Sequence, residues 1–127
     1  MSSPILRFRG ASKTYRHGLV EVPAVRAIDL EIEPASTTAI MGPSGSGKST
    51  LLHLAAGMVT ASAGSVEIAG HALSTLNAAG LARLRRTDVG VVFQQYNLLP
   101  TLTAVENVTL PLELDGLGLR KARSIAV

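Results

Sequence analysis

The chain opens on an alternation. Ile5–Leu6–Arg7–Phe8–Arg9 sets apolar against basic positions at a period of two, which predicts a half-buried strand. After Gly10, Lys13–Thr14–Tyr15 precedes a predicted loop from Arg16 to Pro23, punctuated by Gly18 and Pro23. A second alternation runs from Val25 to Glu33, with Ile28, Leu30 and Ile32 on one side and Asp29, Glu31 and Glu33 on the other. Pro34–Ala35–Ser36 reads as a turn. Two such strands ahead of a continuous apolar segment predict a small antiparallel sheet leading into an α/β core.

From there the period changes. Thr38–Ala39–Ile40–Met41 reads as a short apolar strand, and Lys48 to Ala56 as a helix stopped by Gly57. Leu51, Leu54, Ala55 and Met58 recur at helical spacing and Leu52 adds a second apolar side, so this helix is expected to be nearly buried. Ser65 to Ala69 reads as a short strand closed by Gly70, and Asn77 to Arg86 as a helix with Leu81 and Leu84 inward and its arginines outward. Val89–Gly90–Val91–Val92–Phe93 is a continuous apolar run, the pattern of a strand buried on both faces in a parallel sheet. Thr103–Ala104–Val105–Glu106 has capping-box spacing. The helix it starts should line one side with Val105, Val108 and Leu112 and kink at Pro111. Leu119 to Val127 begins another helical pattern with no C-cap glycine or polar tail, as though cut in mid-helix.

Between the Thr38–Met41 segment and the following helix lies Gly42–Pro43–Ser44–Gly45–Ser46–Gly47–Lys48–Ser49–Thr50, which contains G-x-x-x-x-G-K-[ST]. Gly42, Gly45 and Gly47 are expected to take positive φ and to let a ligand approach the backbone. Successive N–H groups of such a loop converge on anionic oxygens, and the helix behind it adds its free amides and positive dipole end. Lys48 supplies a mobile full charge for β- and γ-phosphates, and the Ser49 hydroxyl is a hard ligand suited to Mg²⁺. The pattern arises by chance in roughly one chain of this length in a few hundred. Strand, glycine loop and helix together point to a nucleoside triphosphate site.

Composition narrows the picture only a little. The 127 residues are 46% hydrophobic and 17% charged, which fits one globular domain and excludes a disordered chain. The net charge of +3 is mild; Arg83, Arg85 and Arg86, and Arg120, Lys121 and Arg123, read as solvated helix faces more readily than as a nucleic-acid patch. Without cysteine there is no disulfide framework and no thiolate metal site. No signal peptide is visible at Met1–Pro4, and the apolar stretch around Leu51–Val59 is far short of the ~20 residues a spanning helix needs, so any membrane role is expected to come through a partner.

Four segments carry a resemblance: Lys13–Thr14–Tyr15, Gly42 to Thr50, Gly64–Ser65–Val66 with Gly70, and Val89 to Pro100. They resemble the amino-terminal half of an ABC transporter ATP-binding subunit across nearly the whole chain. Val91 to Pro100 and Thr103 to Leu112 are similar to the lipoprotein-releasing and macrolide-export branch. One departure is Ala35–Ser36, where the family usually has Gly-Glu. The implied fold is α/β: a P-loop NTPase core (parallel sheet with flanking helices) behind an N-terminal antiparallel β subdomain, with the domain incomplete. Residues 1–37 would be the β subdomain, 38–100 the core through the Q-loop, and 101–127 the start of the helical subdomain.

The resemblance also implies roles. Tyr15 would stack on adenine, against the alternative of an ordinary strand-end tyrosine. Gln94 would be the Q-loop glutamine reaching Mg²⁺ and the attacking water, with Gln95 as its competitor. The apolar segment Leu98–Leu102 would meet a transmembrane permease subunit, unless it is buried internally. A second ATP-binding subunit would complete an ATP–Mg²⁺ sandwich at the inner face of the cytoplasmic membrane, with no nucleic acid involved. Neither an L-S-G-G-x signature nor an apolar strand ending in Asp-Glu is found, so the 127 residues are expected to bind ATP without turning it over. Thr38–Met41 and Val89–Phe93 are expected not to pair with each other, because in the family other strands lie between them. A DNA-maintenance ATPase of the same superfamily, a P-loop kinase or GTPase, and a nucleotide-binding fragment without catalysis are the alternatives.

Overall fold

Two long strands, β1 (Leu6–His17) and β2 (Val20–Ile32), form an antiparallel hairpin closed by the turn at Gly18–Leu19. The computed structural model describes residues 3–127, as one compact unit ending at Val89 and a second from Gly90 to Val127. In the first unit β3 (Ala63–Ile68) lies antiparallel on the other edge of β1, and β4 (His71–Ala72) closes the four-stranded order β2-β1-β3-β4. The antiparallel sheet is therefore as the alternation predicts, with one correction. The expected loop from Arg16 to Pro23 is mostly ladder, pairing Tyr15 with Val22, Arg16 with Glu21 and His17 with Val20. Two features permit it. Gly18 holds φ +60 in the two-residue turn, and Pro23 sits on an edge strand where a missing N–H is tolerated.

Register across the sheet is marked by Arg7 on the central strand. It reaches Glu31 on β2 at 2.6 Å and Glu67 on β3 at 3.5 Å, its direct neighbours in both ladders. Such partly exposed pairs contribute little stability, but a one-residue slip would separate them. The opposite face carries the core. Phe8, Ala11, Val25, Val66 and Ile68 pack with Leu73, with Leu54 of α1 (Lys48–Ala55) and with Leu84 of α2 (Ala78–Thr87). Burying a side chain such as Phe8 or Leu54 is worth about 1.5–3 kcal/mol.

Both helices end and begin as their sequences require. After α1, Gly57 at φ +63 donates to the Leu54 carbonyl and Met58 to that of His53, the paired bonds of a Schellman motif. Asn77 caps α2 by accepting from the Gly80 amide at 2.8 Å. The expectation that α1 is buried nearly all round is not met. Leu54 is fully buried, whereas Leu52 and His53 are exposed, so only one side faces the sheet.

Thr38–Met41 and Val89–Phe93 lie outside any strand, contrary to expectation. A parallel strand exists only through a ladder, and no hydrogen-bonded strand partner is present for either among the described residues. Part of their apolar surface is accordingly left open, with Met41 at 89% and Val92 at 99% of full exposure, although Val89 packs against the core.

The second unit is helical: α3 (Ala104–Leu114) packs with α4 (Leu119–Ala126), burying Thr109 and Ala122. Val105 and Val108 are exposed rather than lining a buried side; the inward position is Thr109, whose hydroxyl bonds the Glu106 carbonyl. Among the described residues no helix is long and apolar enough to cross a membrane. The capping box at the start of α3 is complete: the Thr103 amide and hydroxyl donate to Glu106 Oε2 at 2.8 and 2.7 Å, and the Glu106 amide returns a bond to Thr103 Oγ1. These bonds hold the Glu106 carboxyl below the usual carboxylate range, helped by Arg123. A lowered native pKa stabilises the fold at pH values above the ordinary value of about 4.3 and loses that contribution as pH falls through the lowered one. Glu106→Gln keeps a capping acceptor that does not titrate, so the acid-induced fraying of α3, followed through its amide signals by NMR, is expected to lose its step in that pH window.

Candidate functional site

The glycine loop ends where α1 starts. Gly47 is the N-cap residue at φ +90, and no side chain caps the helix, so the first-turn amides of Lys48, Ser49 and Thr50 keep the donors that a helix N-terminus leaves unpaired. No acidic residue lies in that first turn. Gly45 also holds positive φ, at +79, but Gly42 does not, which corrects the expectation for that residue. Gly42 is small for another reason: a Cβ there would fall 2.8 Å from Ser46 Oγ. Within the loop the tightest restriction is at Gly47, where a Cβ would lie 2.2 Å from the Ala24 carbonyl oxygen on β2. Loop and strand are thus in backbone contact.

That contact shapes a hollow of about 540 Å³, lined by Pro43, Gly45, Ser46, Gly47 and Lys48 and faced by Pro23 to Arg26 of β2. A second, of about 320 Å³, shares Gly45, Gly47 and Lys48 and adds Val22, Ser44, Ser49 and Thr50. No carboxylate lines either, so nothing in the walls opposes an anion. The Lys48 ammonium donates to the Pro43 carbonyl at 2.7 Å and leans on Ser46 Oγ at 3.5 Å; with three donors, it retains one for a ligand. The Ser46 amide also donates to Pro43 O, at 3.2 Å. Ser49 is exposed at the helix start, where its hydroxyl is free to meet a hard cation carried by a phosphate. Among the described residues no three His, Asp or Glu side chains form a metal cluster.

Tyr15 lies directly opposite Val22 in the β1–β2 ladder; Val22 lines the smaller hollow and Tyr15 lines neither. In the first unit the Gly42–Thr50 loop and the β2 wall line the two hollows. Gln94 and Gln95 belong to the second unit, where both are exposed in the irregular segment ahead of α3. There Leu98 and Leu99 are exposed and Leu102 is half-buried.

Two supporting side chains escaped the sequence reading. Ser12 Oγ accepts from the Ala27 amide at 2.8 Å and holds that alanine at φ +42, a bulge in the wall facing the loop. Asn107 clasps the Leu99–Thr103 segment: its Oδ1 accepts from the Leu99 amide, and its Nδ2 donates to the carbonyls of Leu99, Leu102 and Thr103 at 3.0–3.2 Å. Neither is signalled by periodicity, because each acts through backbone partners that only the folded chain brings within reach.

With this geometry in view, comparison with known proteins is informative. The sequence profile of the family described as ABC transporter matches residues 25–126. The chain belongs to the ABC transporter family. Among curated ABC proteins it is similar to the lipoprotein-releasing system ATP-binding protein LolD of Ruegeria pomeroyi, 45% identical over 119 residues, covering 93% of this chain and 52% of that protein. LolD of Hahella chejuensis is 40% identical over 126 residues, with 99% and 54% covered. The fold is that of ABC ATPase cassettes: a dimeric post-hydrolysis structure of the cassette MJ0796 bound to ADP and Pi superposes with TM-score 0.87 at 36% identity, over 95% of this chain and 53% of that one. The chain spans about half the length of these ABC proteins.

Gly47→Ala is expected to break the ABC loop, since the added carbon meets the Ala24 carbonyl and φ +90 is strained for alanine; a loss of 2 kcal/mol or more, roughly, should appear in denaturant unfolding. Asn107→Ala should leave the first unit's unfolding unchanged but raise amide exchange at Leu99 and Leu102, the reverse of a purely surface asparagine.

Proposed function

We propose that the chain binds ATP–Mg²⁺ at the Gly42–Thr50 loop, and that in the complete protein this binding, with hydrolysis, powers an ABC transporter for export or extraction of the lipoprotein-releasing kind. One observation carries the nucleotide reading. The uncapped amides at the start of α1, the left-handed Gly47 and Lys48 border two carboxylate-free hollows that share Gly45, Gly47 and Lys48. The LolD names and the cassette with ADP and Pi support the rest.

Each residue has a task in this reading. The backbone around Gly45–Gly47 holds phosphate oxygens, Lys48 reaches the β- and γ-phosphates, and Tyr15 stacks on adenine beside Val22. Mg²⁺ would neutralise charge on the phosphates, and Ser49 is the side chain at the loop that would hold it; Gln94 keeps the Q-loop role that the resemblance implies. Leu98–Leu102, braced by Asn107, meets the permease subunit. A second ATP-binding subunit closes the sandwich, at the inner face of the cytoplasmic membrane. In this reading the 127 residues, which carry neither an L-S-G-G-x signature nor an apolar strand ending in Asp-Glu, bind the nucleotide without turning it over.

Lys48→Ala decides the central point. Losing charge-assisted bonds is expected to weaken ATP–Mg²⁺ binding by about 10–100-fold in titration calorimetry. Equal affinity of the native and substituted chains would overturn the nucleotide reading, and steady-state hydrolysis dependent on Lys48 and Gln94 would overturn the restriction to binding.

A further inference from the structure

Near the end of β1, Lys13 and Tyr15 stand two residues apart on the same side of the strand, opposite Val25 and Val22. The Lys13 ammonium lies 5.3 Å from the centre of the Tyr15 ring, within cation–π range. The same ammonium donates to the Thr60 carbonyl at 2.8 Å, in the segment that follows α1. That segment is itself fastened to β1: the Ser62 amide donates to the Ser12 carbonyl at 2.8 Å, and Ser62 Oγ accepts from the Thr14 amide at 3.1 Å. The cation is therefore held from behind by a fixed carbonyl and set against one face of the ring.

An aromatic ring has two faces for stacking. With Lys13 on one, a planar ligand can take only the other, and a ring held from one side loses less rotamer freedom when the ligand arrives. We propose that Lys13 is a positioning residue for the nucleotide base, fixing Tyr15 by one face so that the opposite face receives a purine. The proposal rests on the reading that Tyr15 stacks on adenine. A purely structural role for Lys13, as a tie to the 60–62 segment, is already filled by the Ser62 bonds.

The test separates base from phosphate. Affinities for ATP–Mg²⁺ and for inorganic tripolyphosphate are measured for the native chain, Lys13→Met, Lys13→Arg, Tyr15→Ala and the Lys13→Met/Tyr15→Ala pair. The expected result is that Lys13→Met weakens ATP by about two- to fivefold and leaves tripolyphosphate unchanged, while Lys13→Arg, which keeps a cation over the ring, restores ATP. Tyr15→Ala should weaken ATP by about fivefold or more, again sparing tripolyphosphate, and the pair should be no weaker than Tyr15→Ala alone. If Tyr15→Ala weakens ATP but Lys13→Met does not, the proposal for Lys13 is wrong and stacking survives. If neither changes ATP binding, the stacking reading falls and takes the proposal with it. A loss of tripolyphosphate affinity in Lys13→Met, or failure of Lys13→Arg to restore ATP, also overturns it, because the lysine would then act on phosphate charge or on folding.

Discussion

The loop depends on a backbone-to-backbone approach: Gly47 resting on the Ala24 carbonyl of β2. At that distance only a residue without Cβ fits, and the φ of +90 that turns the loop into α1 is one that glycine alone adopts without strain. From this point the rest follows. Helix α1 starts at Lys48, its first amides face out of the turn, and Leu54 drops one turn and a half later into the core beneath the sheet. The contact joins a hairpin formed early in the chain to a helix formed later, so the site is only as well shaped as the wall of β2.

That wall is less regular than a ladder usually is. The β1–β2 register shifts between Phe8 and Thr14, and Ala27 is held in the left-handed region by the Ser12 hydroxyl. Local strain of this sort persists where the surroundings over-determine it. Here the surroundings are buried Val25, Phe8 and Ala11, which leave the strand no freedom to straighten. A comparable position is Ala35, at φ +58 in the turn after β2, a conformation that glycine adopts most easily. What reads in the sequence as a surface departure is a non-glycine residue in a glycine conformation.

Much of this was legible from residue order, and the reasons it was not all legible are physical. The two alternating strands, α1 with its glycine stop, the start of α2 near Asn77 and the Thr103–Glu106 box are local devices, so a few neighbouring residues announce them, whereas the ladder through Arg16–Pro23 replaces an expected loop. The strands assigned to Thr38–Met41 and Val89–Phe93 failed because strand formation is a property of pairs, and an apolar run names no partner. The outer side of α1 and the valines of α3 failed alike, since spacing shows which residues share a face but not what covers it. In the site itself, the glycines, Lys48 and Ser49 were readable because their spacing is the motif. The Ala24 carbonyl, the Ser12 hydroxyl and the Asn107 clasp were not, because backbone atoms and long-range bonds leave no mark on side-chain pattern.

The Lys48 ammonium is already engaged with Pro43, so an arriving anion exchanges hydrogen bonds with the loop as well as adding them. A ligand with one phosphorus atom offers few oxygens and gains little from that exchange. On the proposed reading, a longer polyphosphate has oxygens enough for both the helix amides and the lysine. The bond from Lys48 to Pro43 is then part of what a phosphate tail must replace, so the loop's own geometry enters the affinity of whatever it holds.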